Sequence, residues 1–157
     1  MKKIALSLSL VLLISMSFTS CGEEPKKEKT EVEMLQEKFD MNMKETIAIH
    51  DEVMPKMSEI NNLLSELEMQ SPKMNQEEYQ LTSSRLQESY MQMMSWMKKF
   101  SANFDTKEVN SGITSEKIDV LKEKNEQLSG LKKEAEEMRN NVLSSLKSGK
   151  ELAKKYK

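Results

Sequence analysis

The sequence predicts an all-α protein in which three long helices pack antiparallel, up, down and up, as a coiled-coil-like bundle after a signal peptide and a flexible tether. Apolar residues recur every three or four positions over long stretches, which is the period of amphipathic helices. Valine and isoleucine are sparse and do not alternate with polar residues, so strand signals are absent. The 157 residues are enough for one such domain.

Residues 1–20 have the composition of a lipoprotein signal peptide. Two lysines precede an apolar run from Ile4 to Phe18, which is shorter than the ~20 residues that a membrane-spanning helix needs. The stretch FTSC, residues 18–21, resembles the lipobox in which the cysteine receives a diacylglyceryl group. Cys21 is the only cysteine, so it has no intramolecular disulfide partner, and its predicted role is to carry lipid. The alternative is an ordinary signal peptide followed by a free thiol.

Residues 21–31 are predicted to form the lipidated cysteine and a flexible tether. The segment Glu23 to Thr30, EEPKKEKT, is charged and contains no apolar residue. Gly22 is not the aspartate that retains many lipoproteins at the inner membrane, so the resemblance favours the outer membrane, on its periplasmic face or at the cell surface.

The charge distribution argues against a nucleic-acid partner. Without the signal peptide the chain has 22 basic and 26 acidic side chains, a net charge near −4, with both signs interleaved. No basic block or aromatic platform is present in the sequence, and the pattern is typical of the solvated faces of long helices.

The bundle is predicted to occupy residues 32–157. The first helix, at about residues 31–68, has the apolar stripe Leu35, Phe39, Met43, Ile47, His50, Met54, Met57, Ile60, Leu64 and Leu67. Pro55 lies inside this helix, where it lacks an N–H to bond the carbonyl of Asp51 and is predicted to kink the helix. The carbonyls released beside the kink are expected acceptors for the ring N–H of His50.

Two further helices are predicted at about residues 75–104 and 114–156. Ser71-Pro72 signals a turn, and Asn75 with Glu78 is a capping-box arrangement for the second helix. The segment from Phe104 to Thr114 is predicted as a loop, with Thr114 or Ser115 as the next N-cap. Because few apolar residues are available for a core, there are two alternatives: an extended helical hairpin, or helices that bury their apolar faces by forming oligomers.

Twelve methionines remain after the signal peptide, and the sequence suggests two roles for them. Methionine fills irregular gaps between helices, and methionine surfaces also adapt to partner helices or peptides. If the first turn centres near residue 72, one layer of the bundle contains His50, Met54, Met57, Met93, Met94 and Met97, with Trp96 adjacent. An imidazole with thioethers is a soft ligand set that favours Cu(I). The alternatives for His50 are a polar residue with a local hydrogen bond and a pH sensor.

No catalytic constellation is evident in the sequence. Nucleophilic catalysis needs a nucleophile beside an oriented base, yet the only histidine lies among methionines and the only cysteine is assigned to lipid. Four glycines form no phosphate-binding loop. The sequence therefore predicts a protein that is not an enzyme.

The stretches HDEVMPKMSEI, residues 50–60, and MQMMSWMKKF, residues 91–100, resemble a family of short bacterial lipoproteins often labelled viral A-type inclusion proteins. The resemblance implies a lipoprotein with helical structure and supplies no established activity. The predicted function is a membrane-tethered structural or protein-interaction module of the cell envelope, with a protein partner or a homo-oligomer. The alternative is a periplasmic Cu(I)-binding protein.

Overall fold

A computed structural model describes residues 29–157, and within that range it contains helices and no strand. Helix α1 spans Glu31–Gln70, a 3-10 turn spans Ser71–Lys73, α2 spans Gln76–Asn103, α3 spans Thr106–Ser111 and α4 spans Ile118–Lys155. The predicted all-α bundle of three long helices is confirmed. The predicted signal peptide, Cys21 and most of the tether lie outside the described residues. In residues 29–157, no helix has both the length and the apolar character needed to cross a membrane.

The core is organised around two rows of buried residues on α1 and α4. On α1, five fully buried side chains follow one another at intervals of seven: Phe39, Thr46, Val53, Ile60 and Leu67. On α4, Leu121, Leu128, Ala135 and Val142 are fully buried at the same interval, and the buried Gly149 continues the row. A seven-residue spacing keeps a helix stripe on one side over many turns, so the two helices remain in contact along their length.

Ion pairs along the edge of this contact show that α1 and α4 run parallel. Acidic residues of α1 pair in ascending order with basic residues of α4: Glu31 with Lys122, Glu45 with Lys132, Glu52 with Arg139, Glu59 with Lys150, and Glu66 with Lys157. The Lys150 ammonium beside Glu59 holds the pKa of that carboxyl below its ordinary value of 4.5. Because exposed pairs contribute little to stability, the ladder chiefly favours this alignment over others.

The buried face of α1 differs from the predicted stripe near its middle. Ile49 and Val53 are buried there, whereas Met54 is 46% exposed and His50 is only partly buried. The predicted stripe advanced by four residues three times in succession, and each such step rotates the position by about 40° beyond a full turn. Counting the polar Thr46 as a core residue restores the interval of seven.

The start of α2 is fixed by a cap that α4 completes. Asn75 Oδ1 accepts hydrogen bonds from the backbone N–H groups of Glu77 and Glu78, at 3.0 and 3.1 Å. The predicted capping box would return the Glu78 carboxylate to the Asn75 N–H. Instead, the Tyr156 hydroxyl accepts from that N–H at 3.2 Å, and the Glu78 carboxylate binds Lys155. The Lys155 ammonium lowers the pKa of Glu78, and the C-terminal end of α4 is thereby attached to the first turn of α2.

The connection between α2 and α4 contains a short helix that the sequence analysis treated as a loop. Asp105 and Glu108 form a capping box at the start of α3, with bonds of 2.8 and 3.1 Å. Gly112 ends α3 with a φ of 74°, and a Cβ there would lie 2.3 Å from Asp40 Oδ1. The last long helix then begins at Ile118, later than the predicted residue 114.

Two glycines of α4 provide a matched test of helix packing. A Cβ at Gly149 would lie 2.6 Å from Leu63 Cδ2 and 3.1 Å from Leu86 Cδ1, whereas a Cβ at Gly130 meets nothing within 4 Å. We expect Gly130→Ala to raise the free energy of unfolding by about 1 kcal/mol, because alanine favours the helix. Gly149→Ala has the same helical gain but overpacks the core, at a cost of about 1–3 kcal/mol. Urea unfolding followed by circular dichroism measures both; equal stabilisation by the two substitutions would contradict this packing.

Candidate functional site

The structure brings His50 of α1 and Trp96 of α2 into contact. Their ring centroids lie 5.9 Å apart with an interplanar angle of 26°. This stack places the middle of α1 level with the last third of α2, within two residues of the level predicted from the turn at residue 72. Pro55 lies one turn beyond His50, and α1 is continuous through it.

The imidazole of His50 has one ring nitrogen engaged and one without a partner among residues 29–157. Its Nδ1 lies 2.9 Å from Oδ1 of the exposed Asp51, and the side chain is 24% exposed. Because the carboxylate accepts, Nδ1 is the donor and the lone pair of a neutral ring lies on Nε2. The expected acceptor was a backbone carbonyl released by Pro55; the adjacent carboxylate takes this role instead. Nε2 makes no hydrogen bond with any residue in the range 29–157.

Trp96 belongs to a row of aromatic rings along one side of α2. Trp96, Phe100 and Phe104 follow at intervals of four, with centroid distances of 5.1 and 5.4 Å. Phe104 meets Phe39 of α1 edge to face at 5.8 Å. Trp96 Nε1 donates to the Leu131 carbonyl of α4 at 2.8 Å. The row therefore joins all three long helices.

Lys124 closes the end of this row. Its Nζ lies 5.2 Å from the centroid of the Phe104 ring, where the electron-rich face attracts the cation. The same ammonium donates to the Asn103 carbonyl at 2.8 Å and pairs with Glu108 at 2.9 Å. One side chain thus completes the C-terminal end of α2 and attaches α3 to α4.

The methionines of the predicted Cu(I) set lie on different sides of the helices. Met57 and Met93 are buried in the core, and Met97 is half-buried against it. Met54 and Met94, by contrast, are 46% and 48% exposed. The two core thioethers contribute to packing, so the members of the predicted set that are not buried are Met54, Met94 and Met97. Among residues 29–157, no three His, Cys, Asp or Glu side chains cluster so as to hold a metal ion.

The outer face of α2 differs in character from the outer faces of α1 and α4. Between residues 79 and 97 the helix carries only two charges, Arg85 and Glu88, and both line the groove toward α4. The outward positions include the exposed Leu81, Met91 and Met94. Interface cores are depleted of charge and enriched in methionine. This face is the second candidate site, and the sequence analysis did not identify it; the signal was the low charge density of residues 79–97.

Comparisons with protein-family models, with curated proteins and with solved structures find no match to this chain. The resemblance to short bacterial lipoproteins therefore stays a prediction, and the candidate sites rest on their own geometry.

The indole hydrogen bond provides a test of how α2 is held. We expect Trp96→Phe to lower the free energy of unfolding by about 1–3 kcal/mol, because it removes the bond to Leu131 and some buried ring area. Tyr90→Phe is the matched control on the same helix, since the Tyr90 hydroxyl bonds no residue in the described range. Denaturant unfolding of both variants measures the difference, and equal stabilities would show that the Trp96 bond is dispensable.

Proposed function

We propose that this chain is a lipid-anchored helical protein of the cell envelope that acts as a structural or protein-interaction module and not as an enzyme. The observation that carries the interaction role is the outer face of α2, where exposed Met91 and Met94 lie on a surface with few charges. The ion-paired edge between α1 and α4 has the opposite character. A weakly charged surface with exposed methionines, in an otherwise charged bundle, resembles the composition of protein interfaces.

The anchor is supported by the sequence before the bundle. The FTSC stretch provides a lipid acceptor at Cys21, and α1 begins at Glu31 behind an N-cap at Thr30. An extended chain between Cys21 and Thr30 reaches ~30 Å at most. The N-terminal end of α1 would therefore lie within ~30 Å of the membrane. The outer membrane is the favoured location.

A second candidate function is Cu(I) binding, and the geometry of His50 favours it. A ligating histidine commonly donates its other ring N–H to a carboxylate, as Nδ1 does here to Asp51. Nε2 has no protein partner in the described range, and the half-exposed thioether of Met54 lies one turn away. Met94 and Met97 of α2 complete the soft donors near this level.

The anchor predicts that Cys21→Ser moves the protein from the membrane to the soluble fraction, because the hydroxyl does not accept the thioether-linked lipid. Ser20→Ala, which keeps both the cysteine and a small residue before it, is expected to remain membrane-bound. Fractionation of cells followed by immunoblotting measures the distribution. Retention of the Cys21→Ser protein in membranes would refute lipidation as the anchor.

The copper hypothesis predicts that residues 22–157, loaded with Cu(I) under reducing conditions, retain about one copper per chain against a modest competitor. His50→Ala is expected to lose the metal with unchanged helicity, whereas Met41→Leu, which alters an exposed thioether elsewhere on α1, is expected to keep it. Elemental analysis and circular dichroism provide the two measurements. No retention by the parent chain, or unfolding of the His50→Ala variant, would leave His50 with a packing role alone.

A further inference from the structure

We propose that two copies of this chain pair antiparallel through the outer face of α2. This inference rests on the interaction role proposed above and identifies the partner as a second copy. It follows from the order of residues along one stripe of that helix. It also follows from two charges of the stripe that form no ion pair among residues 29–157.

The stripe consists of Glu77, Ser84, Met91 and Lys98, and we call it the outer stripe. These residues follow one another at intervals of seven and are all exposed. Seven residues fall about 20° short of two full turns, so the four lie on one side of α2 over roughly 32 Å. Met91 is 64% exposed at the centre of this surface.

The outer stripe is complementary to itself only when the two helices run in opposite directions. A two-fold axis between residues 87 and 88 places Glu77 opposite Lys98 of the second copy, at both ends of the contact. The same axis places the small Ser84 opposite the large Met91. A parallel pairing would instead place Glu77 opposite Glu77 and Lys98 opposite Lys98, which costs free energy. An isologous contact must match its own surface, and this order of residues does so.

The residues beside the outer stripe follow the same symmetry. Leu81, which is 52% exposed, is level with Met94 of the second copy; the two lie on opposite flanks of the outer stripe, so each adds apolar surface to a different side of the contact. On the flank toward α4, Arg85 lies within two residues of the level of Glu88 of the second copy. The axis also brings Glu88 near Glu88 of the second copy, so this flank gathers two arginines and two glutamates whose charges balance.

The charges at the ends of the outer stripe are available for such contacts. Glu77 and Lys98 form no ion pair with any residue in the range 29–157. Their neighbours Glu78 and Lys99 are engaged within the chain, with Lys155 at 2.7 Å and Glu134 at 2.8 Å. Of the charged residues near the two ends of α2, the two on the outer stripe are thus those without an ion pair among residues 29–157. A single helix seam of this length is a small interface, so we expect a dissociation constant of about micromolar order.

Cysteine cross-linking of the full chain in membranes tests the orientation. We expect co-expressed Ser84→Cys and Met91→Cys copies to form a disulfide-linked dimer, because these positions lie level across the two-fold axis. Either variant expressed alone is expected to give only the wild-type background of cross-linked dimer. Its two cysteines would be offset along the helices by seven residues, or about 10 Å, which is too far for a disulfide. Met69→Cys, at an exposed site on α1, is the matched control. Cross-linking of each variant alone, without the mixed product, would mean a parallel dimer and overturn the proposal.

Charge reversal tests the pairs at the ends of the outer stripe with the same readout. With Glu77→Lys in both copies, two lysines face each other at each end of the contact, and with Lys98→Glu in both copies two glutamates do. Each substitution is expected to lower the yield of the mixed cross-link about tenfold. Glu77→Lys in the Ser84→Cys copy with Lys98→Glu in the Met91→Cys copy restores opposite charges, and we expect the yield to return. Failure of this rescue would overturn the antiparallel register.

The effect of Met91→Lys on a bound partner protein separates self-pairing from the broader interaction role. Loss of a bound partner protein on Met91→Lys, with no mixed cross-link, would overturn self-pairing and leave the interaction role in place. Absence of both the cross-link and any partner sensitive to Met91→Lys would overturn both proposals.

Discussion

The seven-residue spacing of the buried rows on α1 and α4 is the constraint on which the rest of the structure depends. These helices are far apart in sequence, and they run parallel because the chain returns between them through α2. At 1.5 Å per residue, the 40 residues of α1 extend about 60 Å and the 28 residues of α2 about 42 Å. The segment between Phe104 and Lys117, which includes α3, spans the length by which α2 is shorter than α1. The short helix is therefore a consequence of the parallel pair, since the chain must regain the level at which α4 begins.

The position of α2 is set by a few specific contacts. The Trp96 indole binds a carbonyl of α4 and stacks on His50 of α1, and the Tyr156 hydroxyl caps the first turn of α2. Together these contacts fix the first turn of α2 against the end of α4, and its last third against both α4 and α1. Because these inward contacts hold α2, its outer face is not needed for internal packing. That face carries little charge and exposed methionines, which distinguishes it from the ion-paired edge between α1 and α4.

Methionine has two roles in this bundle, and burial separates them. Met57 and Met93 occupy the core, where an unbranched thioether fills irregular space between helices. Met54, Met91 and Met94 lie at the surface, where the same flexible side chain adapts to a ligand or to another helix. The soft-metal interpretation relies on Met54 and Met97 and the interaction interpretation on Met91, while both include the exposed Met94. His50 faces the contact with α2, whereas Met91 faces outward.

The sequence by itself determined the helical class, the order of the three long helices, the turn at Ser71-Pro72 and the cap at Asn75, because helical periodicity and capping are local properties. It also carried a capping box at Asp105 and Glu108 that the sequence analysis overlooked. Only the tertiary structure decided which side of α1 is buried. Steps of three and of four residues both fit a helix, so whether His50 or Ile49 faces the core depends on the neighbouring helices. Likewise, the Tyr156 hydroxyl and not the Glu78 carboxylate accepts from the Asn75 N–H, and the Glu78 carboxylate pairs with Lys155. Glu77 stays exposed with no ion pair among residues 29–157. Only packing of the helices could decide these contacts, because it brings together residues some 80 positions apart.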